Sequence, residues 1–529
     1  MPDIRYIDKD FVRFNFIGFD GAQKQATLVF GDKVDVLEEG SSSTPSRIRA
    51  LELFDGTVEG TVKGKPFRNR EKGVMKLSMV DVQQGDGLVL ETPPDENDET
   101  RVVFIDGGDN QLFARHVAAR YRHRHSSAQN PFEVDLILIT HGDADHFEGL
   151  SEIKKSETDK DIDDRKRLFI HPKRVYHNGL VKAPTGTPEE AMLGRTISHQ
   201  GKLMLVDLFD DPRKAPLASQ NTKFTAWGET LTHWEQRGGA IDFRRVAHGM
   251  NPDELFDFLA PIKVEIQGPF TSRVTDPEDG QEKDALPFFH TPKKSALVHL
   301  TEDGSQDDGS ISVSHTINGH SVALRITYGN VRFNLTGDLN QESMALMRQR
   351  LNLDQLEAEI VKAPHHGSHE FDFKALQAMK PVVSIISSGD ENPQKEHIHP
   401  RATFVSALGK VSRGETGIVL CTELAAFFRK RDHSHERRLI AKFYEGDEVI
   451  TRAELREFYK AILRTVEDEK ALPSYFGFER TNFGIIHIRT DGERVLVFTH
   501  SGKEGMRESY RFTVDENHEI EFAKDVSVG

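Results

Sequence analysis

The 529-residue sequence has almost no cysteine and no long apolar run. Its one cysteine, Cys421, cannot form a disulfide within the chain or build a thiolate zinc site alone, which favours a reducing compartment. No stretch approaches the roughly 18 apolar residues of a transmembrane helix. The N-terminal segment places Asp3, Asp8 and Asp10 where a signal peptide needs apolar residues. These absences predict a cytoplasmic protein without a membrane partner.

The chain also lacks an excess of positive charge, since its formal net charge is −16. This total argues against nucleic-acid binding over the whole surface, because Lys and Arg provide most contacts to the phosphate backbone. The net charge does not exclude a local basic channel, and a solvated helix surface is the alternative interpretation of the basic segments. The basic residues that could form such a channel are Arg115, Arg120, Arg122, Arg124, Arg429, Lys430, Arg431, Arg437 and Arg438.

The pattern of predicted strands and helices divides the chain into three regions. Residues 1–74 contain five short strands punctuated by turn residues, which predicts a small SH3-like β-barrel able to bind a protein partner. Residues 75–428 alternate strands with helices, as in an α/β domain, with an insertion near 151–260. Residues 429–529 start with a charged run and a helix and end in strands, which predicts a C-terminal α+β extension.

Four metal-binding side chains lie close together in the segment THGDADH, residues 140–146. The segment follows VDLILIT, a continuous apolar run typical of a strand buried on both faces. Two imidazoles and two carboxylates at this spacing can serve two divalent cations. An acidic surface loop with incidental histidines is the alternative, but such a loop does not require an apolar strand before it. The four side chains are His141, Asp143, Asp145 and His146.

Three further polar groups follow apolar strands in the second half of the chain. Asp338 ends VRFNLTGD, His365 and His366 end AEIVKAPHH, and His399 closes the loop after PVVSIISSGD. Because ligands in open α/β sheets bind at the carboxyl ends of the strands, these side chains are expected to share one edge. A bridging carboxylate from Asp338 would hold two cations about 3.5–4 Å apart.

These motifs together resemble the metallo-β-lactamase fold, whose HxHxDH motif stands here as His141-x-Asp143-x-Asp145-His146. The Asp at the second position, together with DVQQGDGLVLE, FIDGG, LTGD, APHHGS and the late His-Pro, is similar to the hydrolase domain of the ComEC competence proteins. The resemblance covers roughly residues 75–425 and implies an α/β fold, an αββα sandwich with the metals at one edge. The chain lacks the family's membrane channel, and Gln83 replaces a turn glycine, so that turn is expected to differ.

The resemblance implies two divalent metal ions, Mn or Zn, as cofactors. The harder oxygen ligand at Asp143 favours Mn²⁺, although the intrinsic affinity order favours Zn²⁺. His141 and Asp143 are assigned to one ion, and Asp338 is assigned to the bridge. The second ion is assigned to Asp145, His146 and His365.

The expected catalytic residues are Asp145, His366 and His399, with a metal-bridging hydroxide as the nucleophile. His366 or His399 would protonate the leaving group or hold a phosphate oxygen. A further ligand between the first motif and Asp338 is not obvious from the sequence. His177 is the candidate for it, and a purely structural histidine is the alternative.

We therefore expect a metal-dependent hydrolase, a phosphodiesterase or nuclease whose phosphodiester substrates include nucleic acid. Hydrolysis of a small phosphate or acyl ester is the first alternative, and the acidic net charge keeps it open. A metal-binding adaptor without turnover is the second alternative. The complete set of candidate ligands argues against the adaptor.

Overall fold

The computed structural model describes residues 2–69, 73–292, 307–389, 399–413, 417–423, 451–457, 459, 484–501 and 505–523. Two large sheets form its centre. The ten strands of the first sheet, in spatial order, are Asp242–Arg245, Arg174–His177, Leu136–Leu138, Val102–Asp106, Gly87–Glu91, Met75–Met79, Ile485–Thr490, Arg494–Ser501, Gly505–Val514 and Ile520–Phe522. The six strands of the second are Lys263–Gly268, Ala323–Tyr328, Val331–Leu335, Ile360–Lys362, Val383–Ile386 and Ile418–Cys421.

The two sheets pack face to face around one hydrophobic core. The strand Leu136–Leu138 shows why its sequence is apolar throughout. Leu136 and Leu138 point into the core between the sheets, whereas Ile137 packs against the helices on the outer face. A strand between two apolar layers has no polar face, so polar and apolar residues do not alternate along it.

Helices cover the outer face of each sheet and complete an αββα order of layers. The helices on the first sheet are Leu112–Arg120, Ala144–Thr158 and Thr222–Gly238. Those on the second sheet are Gln341–Arg350, Phe373–Met379 and Ala402–Val411. Three short helices, Pro252–Phe256, Val313–Gly319 and Leu353–Leu356, lie in the connections. Within the described ranges, no helix is long and apolar enough to cross a membrane.

The N-terminal region is rich in strands, which join in a single seven-stranded sheet with its own small core. In spatial order these strands are Gln23–Val29, Phe11–Ile17, Glu59–Val62, Ser46–Ala50, Lys33–Glu38, Ile4–Ile7 and Phe67–Arg68. The region also contacts the rest of the protein. Phe30 shares a buried cluster with Leu496 and Phe498, and the Arg494 guanidinium lies 3.8 Å from the centre of the Phe30 ring. The N-terminal sheet is therefore docked onto the C-terminal strands.

The C-terminal strands belong to the first sheet, although the sequence predicted them as a separate extension. Ile485–Thr490 pairs antiparallel with Met75–Met79, and the next three strands continue the sheet outward. Part of the predicted insertion also joins this sheet, because Arg174–His177 and Asp242–Arg245 form its opposite edge. The described residues also form smaller sheets. Two of them are strand pairs, Phe132–Val134 with Ile170–Pro172 and His290–Pro292 with Asp307–Ile311. A four-stranded sheet has the spatial order Thr196–His199, Lys202–Leu205, Glu282–Pro287 and Ser272–Thr275.

Candidate metal centre

The predicted ligands come from two sheet edges that meet at one end of the sandwich. Leu136–Leu138 runs parallel to Val102–Asp106, so Asp106 and the segment that begins at His141 leave the same edge of the first sheet. In the second sheet, Val331–Leu335 and Ile360–Lys362 are also parallel neighbours. The carboxyl ends of these two strands lead to Asp338 and to the adjacent His365 and His366, respectively.

Seven buried or half-buried side chains bring ligand atoms close enough to hold a metal ion. His146 and Asp338 each belong to more than one cluster, which places them at the centre of the group. Two of the clusters, Asp145–His146–His366 and His141–His146–Asp338, consist of predicted site residues. The other two add carboxylates that the sequence left without a role, in Asp86–Asp338–His366 and Asp86–Asp106–His146.

Hydrogen bonds set the orientation of the imidazoles. His146 Nδ1 lies 2.8 Å from Asp106 Oδ2, and His366 Nδ1 lies 3.1 Å from the carbonyl oxygen of Ser387. Each Nδ1 therefore carries a proton, and each Nε2 faces the cluster, where it presents a lone pair once its own proton is lost. Metal-binding histidines are held in this way by acceptors behind the ring.

The polar atoms that face the cluster lack hydrogen-bond partners. His146 Nε2, His366 Nε2 and Asp338 Oδ1 are buried and make no hydrogen bond. The Nε2 atoms of His146 and His366 lie 3.3 and 3.0 Å from Asp338 Oδ2. A buried group of lone pairs is costly unless a cation binds it. The arrangement therefore fits a divalent metal ion.

The electrostatics of the cluster also favour a cation. Burial lowers the pKa of His366, but the carboxylates of Asp338 and Asp86 outweigh burial and raise it to about 10. Burial raises the pKa of Asp338, but His366, His146 and Lys362 outweigh it and hold that pKa well below the usual range. Asp338 therefore stays ionised, and the cluster binds positive charge as protons or as metal.

The backbone around the paired histidines is strained. His365 and His366 have φ values of 47° and 51°, in the left-handed region that costs most residues about 1–2 kcal/mol. This turn sends the two rings in different directions, with His366 facing Asp338 and His365 facing Asn318. The turn at Gln83 was expected to differ from a turn with glycine there, but Gln83 has a φ of 65° and keeps a conformation that glycine favours.

Asp143, His399 and His177 were also predicted as site residues, and each has its own set of neighbours. Asp143 forms an ion pair with Lys182, with Oδ1 2.6 Å from Nζ. The centre of the His399 ring lies 6.2 Å from that of His366, and burial, with smaller effects of His366 and His365, lowers the pKa of His399 to about 2. Both ring nitrogens of His177 form hydrogen bonds with the backbone. Nε2 lies 2.8 Å from the carbonyl oxygen of Asp210, and Nδ1 accepts from the N–H of Gly179. His177 therefore has no ring nitrogen left for a metal.

Of the two basic segments, the structure describes the first, in which one arginine pairs with a buried carboxylate. Arg120 donates two hydrogen bonds to the buried carboxylate of Glu91, at 2.8 and 3.1 Å. Its role is therefore to neutralise a buried charge within the fold. The second basic segment, Arg429 to Arg438, lies outside the described residues. Sequence reasoning also missed Asp86, Lys362 and Asn318. Asp86 stands in DVQQGDG, Lys362 ends a strand and Asn318 lies in a short helix, but nothing local showed that they meet.

A cleft of about 310 Å³ opens beside the first motif. Asp143 and Asp145 line it, and the N-terminus of helix Ala144–Thr158 points toward it. Two lysines also line the cleft. Lys182 pairs with Asp143, and Lys223 pairs with Glu148. A substrate in this cleft would meet the metal cluster on one side and ammonium groups on the other.

The four-layer fold and the buried His/Asp cluster together define a metal-binding α/β protein. The sequence profile of the metallo-β-lactamase superfamily matches residues 95–388, which is more than half of the chain. The chain belongs to this superfamily, whose members are metal-dependent hydrolases, and this part of the prediction is confirmed. The narrower resemblance to the ComEC proteins stays a prediction.

Solved structures also match the chain, among them the following two. One is a Thermotoga maritima protein assigned to the Zn-dependent hydrolases of the same superfamily. It is 8% identical, with 58% of this chain and 74% of that chain covered and a TM-score of 0.17. The other is a diphosphatase of the PhnP family, 10% identical, with 59% and 85% covered and a TM-score of 0.20. No curated protein matches the chain.

Proposed function

We propose that the chain is a metal-dependent phosphodiesterase. The observation that supports this most directly is the cluster of inward-facing lone pairs on His146, His366 and Asp338, beside a cleft lined by Lys182. Divalent cations and lysine both bind phosphate oxygens. A neutral acyl ester would gain less from Lys182 than an anionic phosphodiester does.

Each residue of the site has a distinct part in this proposal. A divalent cation, when bound, would polarise the phosphoryl group and lower the pKa of water. Asp145, His146, His366 and Asp338 would hold it. Lys182 would contact a phosphate oxygen from the cleft, and we assign the same kind of contact to His399.

The size of the cleft favours a compact substrate. Its volume of about 310 Å³ lies at the lower end of the range for ligand sites, about 300–1,000 Å³. A small phosphodiester, or the end of a nucleic-acid strand, fits this volume better than the middle of a duplex. Hydrolysis of a small phosphate ester is the second candidate and rests on the same observation.

The N-terminal sheet supports a protein partner in addition to this chemistry. Phe19 and Ile17 lie at the end of a hairpin and are 86% and 60% exposed. Contiguous exposed apolar surface marks binding sites in folded proteins, and these two side chains are the start of the surface that we assign to a partner. We include an SH3-like, protein-binding role of this module in the proposal.

The proposal is tested with the variants Asp145→Ala and Asp338→Ala. Each should reduce turnover of bis-p-nitrophenyl phosphate by at least about 100-fold without unfolding the chain, because both carboxylates hold metal. Glu229→Ala, on the exposed side of helix Thr222–Gly238, is the matched control and should retain activity. Single-stranded DNA and a cyclic dinucleotide, assayed in parallel, separate a nuclease from a small-substrate enzyme. Near-normal turnover by either aspartate variant with metal still bound would refute the assignment.

A further inference from the structure

The carboxylate of Asp143, a predicted ligand of the first ion, has an ammonium group beside it. Lys182 Nζ lies 2.6 Å from Asp143 Oδ1, and the two side chains are 29% and 19% exposed. The backbone of Lys182 is anchored, because its carbonyl accepts from the N–H of Asn221 at 2.9 Å and its neighbours Val181 and Ala183 are buried. The fold therefore delivers a positive charge to Asp143.

Asn318 supplies a second hydrogen-bond donor to the same carboxylate. It is 6% exposed and belongs to the short helix Val313–Gly319. With its carboxamide nitrogen turned to the first motif, Nδ2 lies 2.9 Å from Asp143 Oδ2 and 3.3 Å from His141 Nε2. Oδ1 then accepts from His365 Nε2 at 3.3 Å. The opposite orientation would place the carboxamide oxygen against acceptors alone, so hydrogen bonding selects the first orientation.

The ring of His141 accepts a hydrogen bond in this arrangement. Ser321 Oγ donates to the backbone carbonyl of Asn318 at 2.8 Å and lies 3.2 Å from His141 Nδ1. Because the Ser321 proton is used in this way, Nδ1 donates to Ser321 and carries the ring proton. Nε2 then has the lone pair that accepts from Asn318 Nδ2. The lone pair of His141 and both oxygens of Asp143 therefore have donors.

Asp338, the predicted bridge, divides its two oxygens between different partners. Oδ2 lies 3.3 and 3.0 Å from the Nε2 atoms of His146 and His366, respectively. Oδ1 lies 3.5 Å from Nζ of Lys362, which is 1% exposed. One oxygen faces the imidazoles, and the other faces an ammonium group. The ligand atoms that remain for a cation therefore converge on one position, between His146, His366 and Asp338 Oδ2.

We propose that the metal centre holds a single divalent cation, and that the Lys182 ammonium lies where the sequence predicted the second cation. Each ion of a dinuclear centre needs ligands of its own, and His141 and Asp143, which would supply them, are bonded to Asn318 and Lys182. An ammonium group has three donors, so Lys182 can hold Asp143 and a phosphate oxygen of the substrate together. This inference rests on the metal centre of the proposed function.

The rival arrangement is a dinuclear centre. In it, Lys182 and Asn318 turn away when a second cation arrives, and His141 and Asp143 hold that cation. The two arrangements predict different numbers of ions in the wild-type chain. They also differ in the effect of removing the two donors, which makes room for an ion in the first arrangement and leaves the number unchanged in the second.

The test counts metal ions per chain in protein loaded with Mn²⁺, by mass spectrometry, with isothermal titration to resolve the binding steps. Wild type should hold one ion. The double variant with Lys182→Met and Asn318→Ala loses both donors and should hold two. The matched control is Lys223→Met, because Lys223 lines the same cleft and pairs with Glu148. This variant loses the same charge as Lys182→Met and should still hold one ion.

Electron paramagnetic resonance of the Mn²⁺-loaded protein gives a second readout. Two Mn²⁺ ions that share a bridging oxygen are coupled magnetically, whereas a lone ion is not. Coupling should therefore be absent from wild type and present in the double variant. Circular dichroism is used to check that each variant is folded, and Lys182→Met alone replaces the double variant if the latter is not.

Two ions in wild type would refute the proposal and establish the dinuclear centre. One ion in both wild type and the folded variant would refute the roles of Lys182 and Asn318. Two ions in Lys223→Met would also refute them, because any loss of positive charge from the cleft would then have the same effect. A wild-type chain that binds no metal would refute the metal centre of the proposed function itself, and this outcome is distinct from the other three.

Discussion

Replacing Lys362 by methionine should destabilise the metal-free protein by about 3–5 kcal/mol, because it removes the counter-ion of a buried carboxylate. Lys362 and Asp86 are each 1% exposed and form an ion pair. Lys362 Nζ also donates to the Gly337 carbonyl at 2.7 Å and lies 3.5 Å from Asp338 Oδ1. Burial lowers the pKa of Lys362, but Asp86 and Asp338 outweigh it and raise that pKa, so the ammonium is charged at neutral pH.

The size of the effect comes from charge more than from packing. Methionine has nearly the length of lysine and fills most of the same space, so little cavity is created. Asp86 would be left buried without its main partner. Replacing both members of a buried pair is often close to neutral, so Lys362→Met combined with Asp86→Asn should recover most of the loss.

The assay is urea unfolding at pH 7 followed by tryptophan fluorescence. Both tryptophans of the chain, Trp227 and Trp234, lie buried in helix Thr222–Gly238 on the first sheet, so the signal reports on the hydrolase domain. A cost below about 1 kcal/mol for Lys362→Met would refute the reasoning. A double variant as unstable as the sum of the single changes would also refute it, since the two groups would then not be coupled.

Stability should also fall as the pH rises from about 6.5 to about 9, because His315 loses the proton that it holds between Glu342 and Glu370. Burial lowers the pKa of His315, but these two carboxylates outweigh it and raise it from 6.5 to about 9. The contribution, roughly 3 kcal/mol at most, is complete below pH 6.5 and lost above pH 9, so His315→Gln should flatten the pH dependence of the urea midpoint, and an unchanged slope would contradict this. Protein stripped by chelator should regain more phosphodiesterase activity with Mn²⁺ than with Zn²⁺ at matched free-ion concentrations, because Asp145 and Asp338 supply hard oxygen ligands. Stronger reactivation by Zn²⁺ would show that the imidazoles determine the preference.

The first motif was predictable because its ligands are close in sequence and follow one apolar strand. The run VDLILIT has no polar face, and it forms the buried strand that leads to His141. Asp338 and the paired histidines were predictable for the same reason, since each follows an apolar strand. Membership of the superfamily followed from these local patterns.

Which histidine faces which partner was not predictable. His365 and His366 are adjacent, and only the left-handed turn that contains them sends His366 to Asp338 and His365 to Asn318. His177 follows a strand as a ligand would, yet its ring nitrogens are both used by the backbone. These outcomes depend on backbone angles and on neighbours far along the chain.

The sequence by itself determined the layers of the fold and the segment that starts the metal centre, because apolar periodicity and ligand spacing are local properties of the chain. The tertiary structure alone decided that Asp86, Asp106, Lys362 and Asn318 meet these ligands. It also decided that the strands after residue 484 extend the first sheet beside Met75–Met79. The physical reason is that long-range pairing depends on which edges and side chains remain unpartnered after the whole chain has packed, and no local pattern records this.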